Sequence, residues 1–122
     1  MPNHQRLYMN ERDKSRLEDM LDNARKILQF ANGQTRDTLD SDDMFAYAVT
    51  HALEIIGEAA RNVSDEVQAQ TTEIEWKSIM NMRHRIAHDY LNIDHDIVWN
   101  VIQNKIPELI YQLETILSHR SD

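Results

Sequence analysis

The sequence predicts an all-α protein, a single-domain bundle of four to five helices, from three observations. Its 122 residues fit one hydrophobic core, because single domains commonly hold roughly 100–150 residues. Two glycines and two prolines leave little material for the tight turns of a sheet with several hairpins. Apolar residues recur instead at spacings of three and four, the period of a helix with one buried face. We expect one domain over residues 1–122, with flexible ends at 1–9 and 119–122.

The first two helices are predicted from their apolar stripes and from the residues at their ends. Helix one covers residues 10–32, and Gly33 follows its last apolar residue, where a left-handed backbone favours glycine. After a polar loop, helix two begins at about Ser41, its N-cap, and ends at about Val63. Gly57 lies inside helix two at a cost of roughly 1 kcal/mol relative to alanine, which predicts a close approach by another helix.

The remaining segments complete the predicted bundle. Residues 64–72 form a short polar helical turn, and a third long helix begins near 73–75. A fourth helix follows Asp94, which is its candidate N-cap. Pro107 either kinks this fourth helix or lies at the start of a fifth, because proline lacks the backbone N–H that a helix interior uses.

The composition excludes several classes of protein. The chain has no cysteine, which removes disulfides, thiolate metal sites and cysteine nucleophiles. No apolar run reaches the roughly 20 residues that span a bilayer, and the polar start lacks a signal-peptide core, so we expect a cytoplasmic protein. The net charge of −8 argues against a general nucleic-acid coat, because proteins that neutralise many phosphates present a basic surface. A nucleic-acid function therefore requires a local basic patch.

Residues 76–90 are a basic patch of this kind, although the same pattern also fits a solvated helix face. On a regular helix Arg83 lies on the midline of the apolar stripe, so it requires an acidic partner, with Glu58 as a candidate. His88 lies about 140° around the same helix. The two side chains converge only if the helix ends near 87–88 or if two chains share the site. The side chains that can bind phosphate or stack a base are Lys77, Arg83, Arg85, Trp76 and Tyr90.

Other histidines of the chain are weaker candidates. His84 and His88 are four residues apart, the spacing of paired helical metal ligands. However, Arg85 stands where a zinc protease motif has glutamate, and the neighbouring arginines repel a cation, so we expect no metal and no other cofactor. His95 lies between two aspartates and fits a solvated surface histidine.

Residues 83–90, with the sequence RHRIAHDY, resemble the motif of the HEPN superfamily and, within it, of the HepT-like ribonuclease toxins. The signature of that family is an arginine, four to six residues and a histidine, extended in this branch to R-x4-H-x-Y. Arg83, His88 and Tyr90 match it one for one. The segment 56–61, IGEAAR, and the tryptophan that opens the motif helix also resemble the family, and the likeness extends from about residue 16 to 117.

The resemblance implies a HEPN-like fold and a metal-independent endoribonuclease that acts on RNA as a homodimer. In that chemistry the ribose 2′-OH attacks the adjacent phosphate. His88 is then the general base or acid, and Arg83 holds the phosphate and stabilises its developing charge. His84 has a supporting role, and Arg85 and Lys77 are candidate RNA contacts.

The resemblance also implies a protein partner. HepT-like toxins are typically encoded beside a nucleotidyltransferase antitoxin that transfers AMP to the motif tyrosine, here Tyr90. An anionic phosphate beside Arg83 and His88 would occupy the substrate site and repel RNA.

Two other functions remain compatible with the sequence. One is a non-catalytic helical subunit that binds a nucleotide or a partner within a nucleotidyltransferase complex, for which an acidic surface is natural. The other is a plain helical homodimer in which Arg83 forms a buried structural ion pair, so that its loss would lower the melting temperature substantially.

Overall fold

The computed structural model describes residues 7–87 and 92–121, and in this part of the chain the predicted all-α fold is confirmed. One hydrophobic core contains side chains from every helix. No helix of the described residues is long and apolar enough to cross a membrane. The helices are α1 (Glu11–Ala31), α2 (Thr38–Ser41), α3 (Asp43–Arg61), α4 (Asp65–Gln70), α5 (Trp76–Met80), α6 (Met82–Ile86), α7 (His95–Asn100) and α8 (Ile106–Ser118).

Helix α1 begins and ends close to the predicted residues. The Asn10 side chain caps it by accepting a hydrogen bond of 2.7 Å from the backbone N–H of Asp13. Gly33 follows it with a φ of +77°, the left-handed conformation that favours glycine. The apolar stripe of α1 packs mainly against α3 and then α8, so these three helices form the centre of the fold.

Helix α3 begins one residue later than predicted. Asp42, not Ser41, is its N-cap, because the carboxylate of Asp42 accepts a hydrogen bond of 3.2 Å from the N–H of Phe45. Ser41 ends α2, a single helical turn within the segment that the sequence predicts as a loop. This turn buries Leu39, and the burial of one apolar side chain accounts for its folding against α3.

Gly57 marks the closest approach between α3 and α5, as predicted. A Cβ atom at this position would lie 3.1 Å from the carbonyl oxygen of Ile79. One turn later on α3, the Nη2 atom of Arg61 donates a hydrogen bond of 2.6 Å to the carbonyl oxygen of Met80. These contacts fix the register in which α5 and α6 cross α3.

The predicted third helix is shorter than expected and is divided in two. Asn81 forms a turn between α5 and α6, and α6 ends at Ile86. Ala87 is extended and pairs with Ile93 in an isolated antiparallel bridge. The expectation that the helix ends near residues 87–88 is therefore confirmed. Ala87 and Ile93, which this bridge brings together, are on either side of the segment that contains His88, the predicted catalytic histidine.

The last predicted helices form one longer helical region. Asp94 caps α7 by accepting a hydrogen bond of 3.1 Å from the N–H of Ile97, as predicted. A π-helical segment (Val101–Lys105) connects α7 to α8. Pro107 lies in the first turn of α8, where its missing N–H costs no hydrogen bond. Beyond α8, strand β2 (Arg120–Ser121) pairs in parallel with strand β1 (Leu7–Tyr8), within the ends that the sequence predicts to be flexible.

Candidate functional site

Arg83 lies at the surface of α6, where its side chain is 55% exposed. The prediction that it lies on the midline of a buried stripe is wrong, because Asn81 interrupts the helix and the buried face lies to one side of Arg83. Its Nη1 atom donates a hydrogen bond to Oε2 of Glu54 on α3 and forms an ion pair. Arg83 therefore remains accessible to an anion. The buried residues of the two helices are Trp76, Ile79, Met82 and Ile86.

The partner of Arg83 is Glu54, one turn before the candidate Glu58. Glu58 instead pairs with Arg61 on its own helix, at 3.2 Å. The register at Gly57 explains the difference. Gly57 contacts Ile79 on α5, and Glu54, three residues earlier on α3, contacts Arg83, four residues later in the chain than Ile79. Arg83 consequently meets α3 on the N-terminal side of Gly57.

Two adjoining clefts open at this ion pair, and we call them together the α3 groove. Three residues line both clefts: His51, Glu54 and Arg83. The first cleft, of about 550 Å³, is bounded by α2, the N-terminal half of α3, the start of α7 and residues 92–93. The second, of about 330 Å³, is bounded by the C-terminal half of α3 and by α5 and α6. Arg83 thus lies between two spaces that can hold parts of one extended ligand.

One wall of the first cleft is a network of charged side chains. The Nδ1 atom of His95 lies 2.7 Å from a carboxylate oxygen of Asp40. Arg36 donates hydrogen bonds of 2.6 Å to both Asp40 and Asp96. The hydrogen bonds with His95 and then Arg36 hold the pKa of Asp40 below its ordinary value of 3.8. The hydrogen bonds of Arg36 with Asp96 and then with Asp40 raise the pKa of Arg36. His95 is therefore a half-buried, engaged histidine and not the solvated one that the sequence suggests.

The structure brings some of the predicted site residues into the groove and leaves others out. His84 is exposed and lines the second cleft beside Arg83. Lys77 is exposed and Arg85 donates a hydrogen bond of 2.7 Å to Ser78, and neither lines the groove. The predicted His88 and Tyr90 lie outside the residues that the structure describes.

Sequence reasoning missed Glu54, His51 and Arg61, which all line the groove. Arg61 ends the segment 56–61 that resembles the family, but no role was predicted for it, and the only signal of Glu54 and His51 is a helical spacing with Tyr47 on the outward side of helix two. That pattern is the same as for any solvated helix face, so it does not identify a site.

The described lining of the groove favours binding of an anion only near its arginines. An arginine presents five N–H donors in a planar fork, so Arg83 can hold Glu54 with one nitrogen and a phosphate with the others. Elsewhere carboxylates outnumber arginines, which limits the electrostatic attraction of a polyanion. The charged and titratable residues of the lining are Asp40, Asp43, His51, Glu54, Glu58, Arg61, Arg83, His84 and His95.

Comparison with known proteins finds similarity to ribonucleases. The family described as "Ribonuclease HepT-like" matches residues 20–116. A protein of Methanocaldococcus jannaschii named "Putative RNase" is 33% identical over 101 residues, which cover 83% of this chain and 84% of that protein. A "Putative RNase" of Caldanaerobacter subterraneus is 32% identical over 101 residues, 83% of this chain and 90% of that protein. A "Probable ribonuclease HepT" of Thermococcus cleftensis is 30% identical over 108 residues, 88% of this chain and 98% of that protein. No solved structure matches the chain.

Proposed function

The chain belongs to the HepT-like ribonuclease family, and from this premise we propose that it is a metal-independent endoribonuclease, the toxin of a toxin–antitoxin system. One observation carries the proposal for the site. Arg83, the arginine of the family motif, is exposed in the α3 groove. Residues 92–93, which follow the segment of His88 and Tyr90, line the same groove. Arg83 and the residues that follow the motif therefore line the same cleft, which supports a site at this place.

The proposed reaction is cleavage of RNA by its own 2′-OH. Arg83 binds the phosphate with the donors that Glu54 leaves unused and stabilises the charge that develops on the phosphate oxygens. His88 moves a proton as general base or acid, a role that suits imidazole because it titrates near neutral pH. His84 supports the site from the second cleft, and Lys77 and Arg85 are candidate contacts for RNA outside the groove.

We infer that two copies of the chain form the active enzyme. Met44 and Tyr47, one turn apart on α3, are 76% and 77% exposed. Tyr47 also lines the first cleft, so an apolar contact between two copies at this place would lie beside the groove. A dimer formed there would bring two Arg83 side chains to one RNA and would gather basic groups into one groove on an acidic body.

The inferred protein partner is a nucleotidyltransferase that adenylylates Tyr90. Tyr90 lies two residues before Asn92, which lines the first cleft. A phosphate attached to Tyr90 would be an anion close to Arg83 in the sequence motif, and it would compete with RNA for the same donors. Adenylylation would therefore inhibit the ribonuclease.

The first experiment compares the wild type with His88→Ala on mixed cellular RNA in the presence of EDTA, after the intact mass of each protein is measured. We expect the wild type to leave 2′,3′-cyclic phosphate ends and His88→Ala to leave the RNA uncut. His119→Ala, which removes an exposed histidine after α8, is the matched control and should cleave as the wild type does. If the mass shows added AMP, the Tyr90→Phe protein is assayed in its place.

The alternative function is a non-catalytic subunit that binds a nucleotide or a partner within a nucleotidyltransferase complex. The observation that favours it is the acidic lining of the α3 groove, where Asp40, Asp43, Glu54 and Glu58 face only two arginines. It predicts a tight complex with the nucleotidyltransferase. An unmodified, folded wild type that cuts no RNA would support this alternative and refute the ribonuclease.

A further inference from the structure

We propose that His51, in the α3 groove, is the second proton-transfer group of the cleavage reaction, in addition to the one proposed for His88. The inference rests on the proposed ribonuclease function and extends it to a residue outside the family motif. Both proton transfers are then carried out by imidazoles, and one chain can supply the two imidazoles.

The reaction requires two proton transfers. The 2′-hydroxyl loses its proton, its oxygen forms a bond to phosphorus, the bond between phosphorus and the 5′-oxygen breaks, and that oxygen gains a proton. The products are a 2′,3′-cyclic phosphate and a 5′-hydroxyl, and no water or other reactant is consumed. The entering and leaving oxygens lie on opposite sides of phosphorus, so one positioned group for each is the efficient arrangement. The motif supplies only His88 for these two tasks.

The position of His51 places its imidazole beside the phosphate-binding arginine. His51 precedes Glu54 by three residues on α3, and side chains at that spacing are neighbours, with about 5–6 Å between their Cβ atoms. Glu54 in turn holds the guanidinium of Arg83. These three residues line both clefts of the groove, whereas His84 lines the second cleft alone and His95 the first alone. Among the histidines that the structure describes in the groove, His51 is thus the one shared by the two clefts that meet at Arg83.

The hydrogen bonds of the groove also single out His51. Within residues 7–87 and 92–121, His51 is exposed and makes no hydrogen bond or ion pair. The Nδ1 atom of His95, by contrast, is engaged by Asp40. A proton-transfer group must have a ring nitrogen available to the substrate, which His51 has. The charged groups that line the clefts around it are Asp40, Asp43, Glu54, Glu58, Arg61 and Arg83.

The test is the pH dependence of kcat/KM for cleavage of a short RNA, measured for the wild type, His51→Ala, His51→Gln and His119→Ala. We expect a bell-shaped profile for the wild type and for His119→Ala. Both His51 variants should lose one limb of the bell, with kcat lower by roughly 10²–10⁴-fold and KM changed little. Glutamine keeps a polar side chain but cannot titrate, so it separates proton transfer from hydrogen bonding. Melting temperatures confirm that each protein is folded.

The possible outcomes separate this inference from the function on which it rests. If the wild type cleaves RNA and both His51 variants keep the two limbs, His51 has no role in proton transfer while the ribonuclease stands. The same conclusion follows if His84→Ala loses a limb and the His51 variants do not. If the wild type cuts no RNA, the proposed function itself fails. Loss of one limb in both His51 variants, with both limbs kept in His119→Ala and no cleavage by His88→Ala, is the result that supports the inference.

Discussion

Arg83 is held by Glu54 and yet remains more than half exposed, and both facts bear on its energetic role. Ion pairs at the surface contribute typically about 0–1 kcal/mol, because water screens the charges and the side chains lose rotamer freedom. The buried structural ion pair considered from the sequence would contribute differently, since removal of one partner leaves an uncompensated charge. The exposure of Arg83 contradicts a buried structural ion pair. Binding of an anionic ligand is the better explanation for an arginine at this position.

We therefore expect Arg83→Ala to lower the free energy of unfolding by less than about 1 kcal/mol and to abolish RNA cleavage. Chemical denaturation and the EDTA assay measure the two effects. Arg25→Ala is the matched control, because Arg25 forms a similarly exposed ion pair with Glu114 and lies outside the groove. It should give a comparable small change in stability and full activity. A large loss of stability in Arg83→Ala, but not in Arg25→Ala, would show that the ion pair of Arg83 has mainly a structural role.

The sequence predicts candidate site residues only where a motif and the chemistry of the residue type are sufficient to identify them. Arg83 stays a predicted site residue from the motif, and its predicted burial is wrong because the helix is not regular through Asn81. Glu54 was missed in favour of Glu58 since both lie on the same side of α3, one turn apart. The register at Gly57 decides between them, and that register depends on packing between distant segments.

At the scale of helices, the ends that depend on local chemistry were predicted well. Gly33 after α1 and Asp94 before α7 have the conformations that their residue types favour. The turn at Asn81 and the π segment at 101–105 were missed. Both leave the three-and-four spacing of apolar residues nearly unchanged, so periodicity does not reveal them.

The pair of Asp40 and His95 joins the end of α2 to the start of α7, and it makes this connection sensitive to acid. The pKa of Asp40 is lower in the folded protein than its ordinary value of 3.8, so the folded state binds the proton less readily than the unfolded chain does. The stabilisation is therefore fully present above that ordinary value. It is lost as the pH falls through the lowered pKa.

Accordingly, Asp40→Asn should be less stable than the wild type at neutral pH, and the difference should shrink as the pH falls below 3.8. Urea denaturation at a series of pH values measures it. Asp37→Asn is the control, because Asp37 precedes the same helix and its side chain makes no capping hydrogen bond. A difference that is independent of pH would show that the Asp40 carboxylate is not the cause.

At the scale of the whole molecule, the chain has a net charge of −8, so the proposed RNA substrate requires basic groups that are gathered in one place, as the inferred dimer would do. We expect the double variant Met44→Asp, Tyr47→Asp to be monomeric and to lose RNA cleavage, because two carboxylates would be buried in the proposed contact. Sedimentation and the EDTA assay measure the two properties.

Tyr111→Asp is the matched control, since Tyr111 is 71% exposed on α8 and lies outside the groove. It should change neither the oligomeric state nor the activity. A wild type that is monomeric and active would contradict the inferred dimer and leave the groove of one chain as the complete site.

The pairing of β1 with β2 has a consequence for the connectivity of the fold. The strands are parallel and lie roughly 5 Å apart, so a linker from residue 121 to residue 7 has to run back along only two residues. New termini can then be opened between Gln34 and Thr35, an exposed turn after α1. Such a circular permutant keeps every helix intact and places α1 last in the chain. The order of the helices along the sequence is therefore separable from their arrangement around the core.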